Sequence, residues 1–253
     1  YSSAASDVYK RQYCNSGKRN IIDMKFFLIT FAYFFIFFSQ VYAADDIATP
    51  STYKVTMKKV ELCTSSACTT TTLLAEKDGT FNIASASAGA DVGDWITSFA
   101  LEVGTTYTHI KATLSTTMTI AGYTTNSNIS SDYCVTESSP NTASAANQGA
   151  IVDGSSSTTN AEMTYIVPNQ ANADNGNPYG DIDFSGSGIT RSNNAATMYW
   201  IGALSSSYTQ TANSAPKITI KFDVTDQLKS TQQAADACYM WVEPPTVNVT
   251  LAD

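Results

Sequence analysis

Side chains able to do covalent chemistry are few in this chain and lie far apart. The one histidine, His109, stands in Tyr107-Thr108-His109-Ile110-Lys111. Alternation there puts it with Lys111 and Thr113 on the polar face of a strand, a solvated position. Ser-His-Asp or Cys-His catalysis needs an imidazole held against a nucleophile, and a lone histidine on a wet face supplies no such constellation. Two carboxylates alone suffice for glycoside hydrolysis. Any two acids in a chain this rich in Asp and Glu meet that condition, so it carries no weight and a non-enzyme is expected.

Metal and ligand chemistry have better material. The run Asn172–Asp183, with Asp174, Asp181 and Asp183 among Asn, Gly and one Pro, has the oxygen ligands and turns of a Ca²⁺ loop. Setting Gly176 at the glycine of an EF-hand puts Ala171, Ala173 and Ile182 on ligand positions, so the loop is not of that type. The competing reading, a solvated Asn/Gly loop, is the one favoured, and no other cofactor is implied. Of the three tryptophans, Trp200 and Trp241 lie in apolar runs that read as core. Trp95 follows the Gly93-Asp94 turn and is the candidate for stacking on a sugar ring.

Cysteine arithmetic depends on a leader. Lys25 precedes the apolar run Phe26–Phe38, which is short of the roughly 20 residues that span a bilayer. Ser39-Gln40-Val41-Tyr42-Ala43 follows as a cleavage site, so residues 24–43 read as a signal peptide cut after Ala43. Residues 1–23 do not fit its n-region and resemble translated adapter sequence of the kind met in metagenomic assemblies. Removing both leaves Ala44–Asp253 as one expected domain with four cysteines: Cys63, Cys68, Cys134 and Cys238. An even count behind an export signal implies disulfides. Three connectivities are open, and we favour Cys63–Cys68 with Cys134–Cys238. Zinc is the rival reading, but paired Cys-x-x-Cys or His ligands are absent.

The formal net charge of −8 becomes −11 without the leader, nine Lys and Arg standing against twenty Asp and Glu. Such a surface repels phosphate backbones and anionic lipid, which argues against nucleic-acid partners and membrane adsorption. No membrane span is expected in the mature form.

Period-two patterning organises the rest. Tyr53, Val55 and Met57 alternate with polar residues, and the parity shifts after Lys58-Lys59 to Val60 and Leu62, the mark of a bulged strand. Gly79–Ile83 and Trp95–Val103 read as strands. Ile110–Ile120 reads as one long half-buried strand interrupted only by Thr116. Glu162–Val167, Lys217–Val224, Cys238–Val242 and Thr246–Leu251 read as further strands, and Thr197–Leu204 as one buried on both faces. Residues 136–160 and 169–194 read as long surface loops and residues 226–237 as one short helix. An all-β, antiparallel β-sandwich, Ig-like or prealbumin-like, with long loops follows.

The run YKVTMKKVELC (Tyr53–Cys63) and the later Gly104-Thr105-Thr106-Tyr107-Thr108-His109-Ile110-Lys111 resemble secreted bacterial β-sandwich surface modules of the prealbumin-like kind. The resemblance spans Tyr53–Ile120. It implies the sandwich fold and secretion, points to carbohydrate as a ligand, and carries over no catalytic residue.

The function expected is a secreted or cell-surface structural or interaction protein, an envelope or filament subunit among the options, with its own copies or other surface proteins as partners. In one version Pro244-Pro245 releases Val247, Val249 and Leu251 to complete a neighbour's sheet, although Ala44–Thr52 lacks the apolar alternation of a donor strand. The alternative is a carbohydrate-binding module or a soluble periplasmic binding protein.

Overall fold

The computed structural model describes residues 46–85, 96, 99–125, 132–140, 150–168, 184, 186–234 and 237–253. Fifteen strands lie among them: β1 (Asp46–Ala48), β2 (Thr52–Cys63), β3 (Thr71–Asn82), β4 (Thr106–Ser115), β5 (Thr117–Ala121), β6 (Tyr123–Thr125), β7 (Tyr133–Val135), β8 (Ala150–Ser155), β9 (Met163–Ile166), β10 (Ile189–Thr190), β11 (Thr197–Thr209), β12 (Lys217–Asp223), β13 (Leu228–Ala234), β14 (Ala237–Val242) and β15 (Thr246–Ala252). The described residues contain no helix, and therefore none long and apolar enough to cross a membrane.

The fold is all-β and sandwich-like. One sheet runs β1-β13-β14-β8-β7-β6. The other runs β12-β15-β11-β4-β2-β5-β9, with β3 added on β2 and β10 on β11. Pairing is antiparallel except at the single parallel register of Leu204 with Val249. Two apolar clusters fill the interior. Tyr53, Ile120, Met163, Leu228 and Trp241 belong to one, and Met57, Leu62, Ile110, Ile218 and Val249 to the other. Burial of each such side chain is worth about 1.5–3 kcal/mol.

The sequence signals lead directly to several of these elements. The parity change in β2 is a bulge at Lys58, where register shifts between Met57 and Lys59 against both β3 and β4. Lys58 turns out to meet Asp78 at 3.0 Å. Thr116 is more than an interruption: it divides the expected long strand into β4 and β5. It donates its N–H to Ala196 O at 3.0 Å and accepts from Val167 N–H at 2.8 Å. On one side of it β4 pairs with β11, and on the other β5 pairs with β9.

Other expectations are corrected. Residues 226–237 do not form a helix. Asp226 sits at φ +59°, which a helix cannot use. Beyond it Leu228 and Ser230 are buried at period two in β13, paired with β14. Trp95–Val103 is not a strand among its described residues, Ile96 and Phe99–Val103. Instead Ile96, Phe99 and Leu101 pack as irregular chain on the second cluster. The expected loop 136–160 contains β8, which two apolar residues, Ile151 and Val152, were too short a run to announce. The strand buried along its whole apolar run is β14, Cys238–Val242, and not β11, where Tyr199–Gly202 stay half-exposed.

Both favoured disulfides are present. Cys63 and Cys68 close the β2–β3 hairpin with Cα atoms 5.0 Å apart. Cys134 and Cys238 join β7 to β14 at a Cα distance of 5.9 Å. The bridge lies where β8 changes partner, pairing with β14 through Asp153 and with β7 from Gly154 onward. The edge strand β6 of the same sheet meets β13, which lies next to the other edge, through the buried pair Thr124 Oγ1 and Ser230 Oγ, 2.6 Å apart. Each hydroxyl thereby satisfies the other away from water.

Candidate functional site

A cleft of 570 Å³ opens beside β11, within the roughly 300–1,000 Å³ of small-ligand sites. Four separate stretches of chain form it. Its floor is Trp200–Ala203 of β11, one rim is the turn Gly186-Ser187-Gly188, and the other is the β14–β15 connection Glu243-Pro244-Pro245 with Gln227 beside it.

Each part is set by local chemistry. Gly186 and Gly188 take φ +71° and +76°, left-handed values that suit glycine. Ser187 locks the turn by donating its hydroxyl to Phe184 O at 2.8 Å and accepting from Ile189 N–H at 3.1 Å. The turn is then tied to the floor by Ile201 N–H donating to Gly188 O at 2.9 Å. Trp200 and Gly202 share one face of β11, being two apart. A Cβ on Gly202 would lie 2.2 Å from Cζ2 and Cη2 of Trp200, and one on Gly188 would lie 3.3 Å from its Nε1. The indole therefore rests on two glycines, half-exposed, with the cleft above it and an apolar interior cavity of 60 Å³ behind it.

Glu243 lines the same cleft from the β14–β15 connection and makes three hydrogen bonds of its own. Its N–H donates to Gln227 O at 2.8 Å, its C=O accepts from the Tyr53 hydroxyl at 3.3 Å, and its Oε1 accepts from Trp241 Nε1 at 2.9 Å. Burial pushes the Tyr53 pKa far above its ordinary value and the Glu243 charge adds to this, so Tyr53 stays a protonated donor. Gln227 is positioned in turn by its side-chain amide donating to Thr225 O at 2.9 Å.

Of the residues singled out in the sequence, Trp95, Asp174, Asp181 and Asp183 lie outside the described residues. Among the described residues no group of three His, Cys, Asp or Glu is arranged to hold a metal. His109 is on the polar face of β4, half-buried, with Nδ1 2.8 Å from Thr108 Oγ1. Its neighbour on that face, Lys111, lies 4.7 Å from the centre of the Tyr199 ring. Trp200, in register with Ala112, belongs to the opposite face. Trp241 is core, 1% exposed, as expected, and Trp200 packs against the second cluster but is only half-buried. The signal for Trp200 was available in Trp200-Ile201-Gly202: a glycine two residues on leaves the ring a bed beside the backbone. Nothing local announces Glu243 as its counterpart.

Comparison with protein-family models finds no match, and neither do comparisons with curated proteins and with solved structures.

Proposed function

We propose that the chain is an exported β-sandwich of the cell surface that works by binding and not by catalysis, and that the Trp200 cleft is where it engages its partner. The observation that carries this is the half-buried Trp200 seated over Gly202 in a cleft that Glu243, anchored by three hydrogen bonds, also lines. Preorganised polar groups beside an aromatic face are what a recognition site requires. Export is supported by the two disulfides, which persist in oxidising compartments, and by the leader read at residues 24–43. The resemblance of Tyr53–Ile120 to prealbumin-like surface modules supports the same reading. Binding is favoured over hydrolysis because Glu243 is the one acid among the described lining residues, where glycoside hydrolysis uses a pair.

Assembly into an envelope layer or filament by strand donation is the less favoured reading. The C-terminal strand β15 pairs with β12 along seven residues of its own chain, with Val249 and Leu251 buried. The outer strand β12 carries Lys217, Lys221 and Asp223, charges that discourage edge-to-edge pairing.

Immobilised protein incubated with bacterial cell-envelope fragments tests the proposal. The native protein is expected to retain them. Gly202→Leu, whose side chain must displace the Trp200 ring, is expected to retain at least tenfold less. Equal retention by both would remove the cleft from the account, and retention by neither would remove the surface role. Ordered filaments in negative-stain images of the purified protein would put assembly in its place.

A further inference from the structure

We propose that the cleft is a subsite for a neutral or amino-substituted pyranose and that it rejects acidic sugars. This rests on the reading of the cleft as a recognition site and names the ligand class. Trp200 offers a rigid apolar surface whose position is set by Gly188 and Gly202. The C–H face of a pyranose is apolar and covers an aromatic ring at little cost in conformational entropy, because the indole has few torsions to lose. An ammonium substituent gains further from the ring face.

The polar groups around the ring decide which sugars fit. As a carboxylate Glu243 can only accept, so it calls for hydroxyl or N–H donors on the ligand. The bond from Trp241 orients its Oε1. Thr246 and Gln227 add groups that both donate and accept. Among the described lining residues there is no Lys or Arg to neutralise a ligand carboxylate. A uronic or sialic acid would meet Glu243 and the net charge of −8 unaided, and like charges brought together across an interface cost several kcal/mol. Proline-rich peptide is the other ligand with a natural fit to tryptophan. It uses slots between several aromatic rings, and Trp200 is the one aromatic residue among the described lining residues.

The test is a glycan array carrying neutral hexose, hexosamine and uronic or sialic acid oligosaccharides, probed with the purified protein and followed by calorimetric titration of the strongest neutral hit. Binding to neutral or amino oligosaccharides is expected, with the Trp200 indole N–H resonance, assigned by its loss in Trp200→Phe, shifting on titration. Glu243→Gln is expected to weaken the neutral ligand about tenfold and to narrow the gap between neutral and acidic ligands. Trp200 also walls the interior cavity, so the resonance shift on the native protein serves as a readout that no folding defect can imitate. A preference for acidic glycans, or a blank array with a proline-rich peptide moving the Trp200 resonance, would overturn the saccharide assignment and leave the cleft as the recognition site. Saccharide binding that leaves Trp200 and Glu243→Gln unaffected would overturn both.

Discussion

At the scale of single residues, two buried charges behave oppositely. Arg191 is 5% exposed, and among the described residues neither its Nε nor its Nη1 has a hydrogen-bond partner. Burial pulls its pKa down, and the neighbouring Tyr165 only partly compensates. A buried donor left unmade costs free energy, so Arg191→Met is expected to leave stability unchanged or raise it by up to about 1 kcal/mol. Urea unfolding reads this, and a loss above about 2 kcal/mol would mean the guanidinium has a partner worth more than its desolvation. Glu61 is the contrasting case. Burial alone would raise its pKa, but hydrogen bonds from Lys59 and Thr71 and the charges of Lys59 and Lys111 outweigh that and hold it below the usual carboxylate range. A depressed value means that its contribution is present above the ordinary 4.5 and is lost as pH falls through the folded value. Glu61→Gln is therefore expected to cost about 1 kcal/mol near neutrality. The deficit should vanish in acid, as measured by unfolding midpoints across pH 3–7, roughly the span over which a carboxylate titrates. A deficit that persists unchanged in acid would assign the effect to packing.

At the scale of elements, the turn at Gly186–Gly188 decides whether a cleft exists. A Cβ at Gly188 would stand 2.2 Å from the carbonyl oxygen of Ile201 while φ is +76°. Both the contact and the strain fall on the short pairing of β10 with β11. Gly188→Ala is expected to cost about 1–3 kcal/mol and to free the Trp200 ring, seen as a red shift and broadening of its fluorescence once Trp95 and Trp241 are replaced by Phe. An unchanged spectrum would show that the turn does not seat the ring. Period two made β2, β4, β12 and β15 legible, since each has one face in the core. It failed at β8 and β13, which are short or rich in Ser, Thr and Gln. Those strands owe their place to partners: β8 to the flanking β14 and β7, and β13 to β14.

At the scale of the whole molecule, the two disulfides differ by the length of chain they close. Cys63 and Cys68 are five residues apart and Cys134 and Cys238 are 104 apart. In the chain-entropy account these loops are worth about 2 and about 5 kcal/mol. Replacing Cys134 and Cys238 by Ala is expected to lower stability by more than twice the effect of replacing Cys63 and Cys68. Denaturant midpoints of the two double variants decide it, and equal losses would contradict the entropic account. The long bridge also marks the fork where β8 passes from β14 to β7, so its loss should loosen the six-stranded sheet first. Hydrogen exchange at Val152 and Tyr239 reports that directly.

Alternation, the parity shift at Lys58-Lys59 and the even set of cysteines determined the all-β class, the bulge in β2 and the expectation of two disulfides, because each depends on residues close in the chain or on a simple count, while which cysteines pair stayed open among three connectivities until the structure joined them. Only the tertiary structure decided that Trp200 is left half-buried beside a cleft and that Glu243 lines the same cleft. The seat of Trp200 depends on Gly188 and Gly202, and Glu243 lines the same cleft. Those residues come from three segments whose approach is set by sheet pairing, and no periodicity within any one of them records where the others will lie.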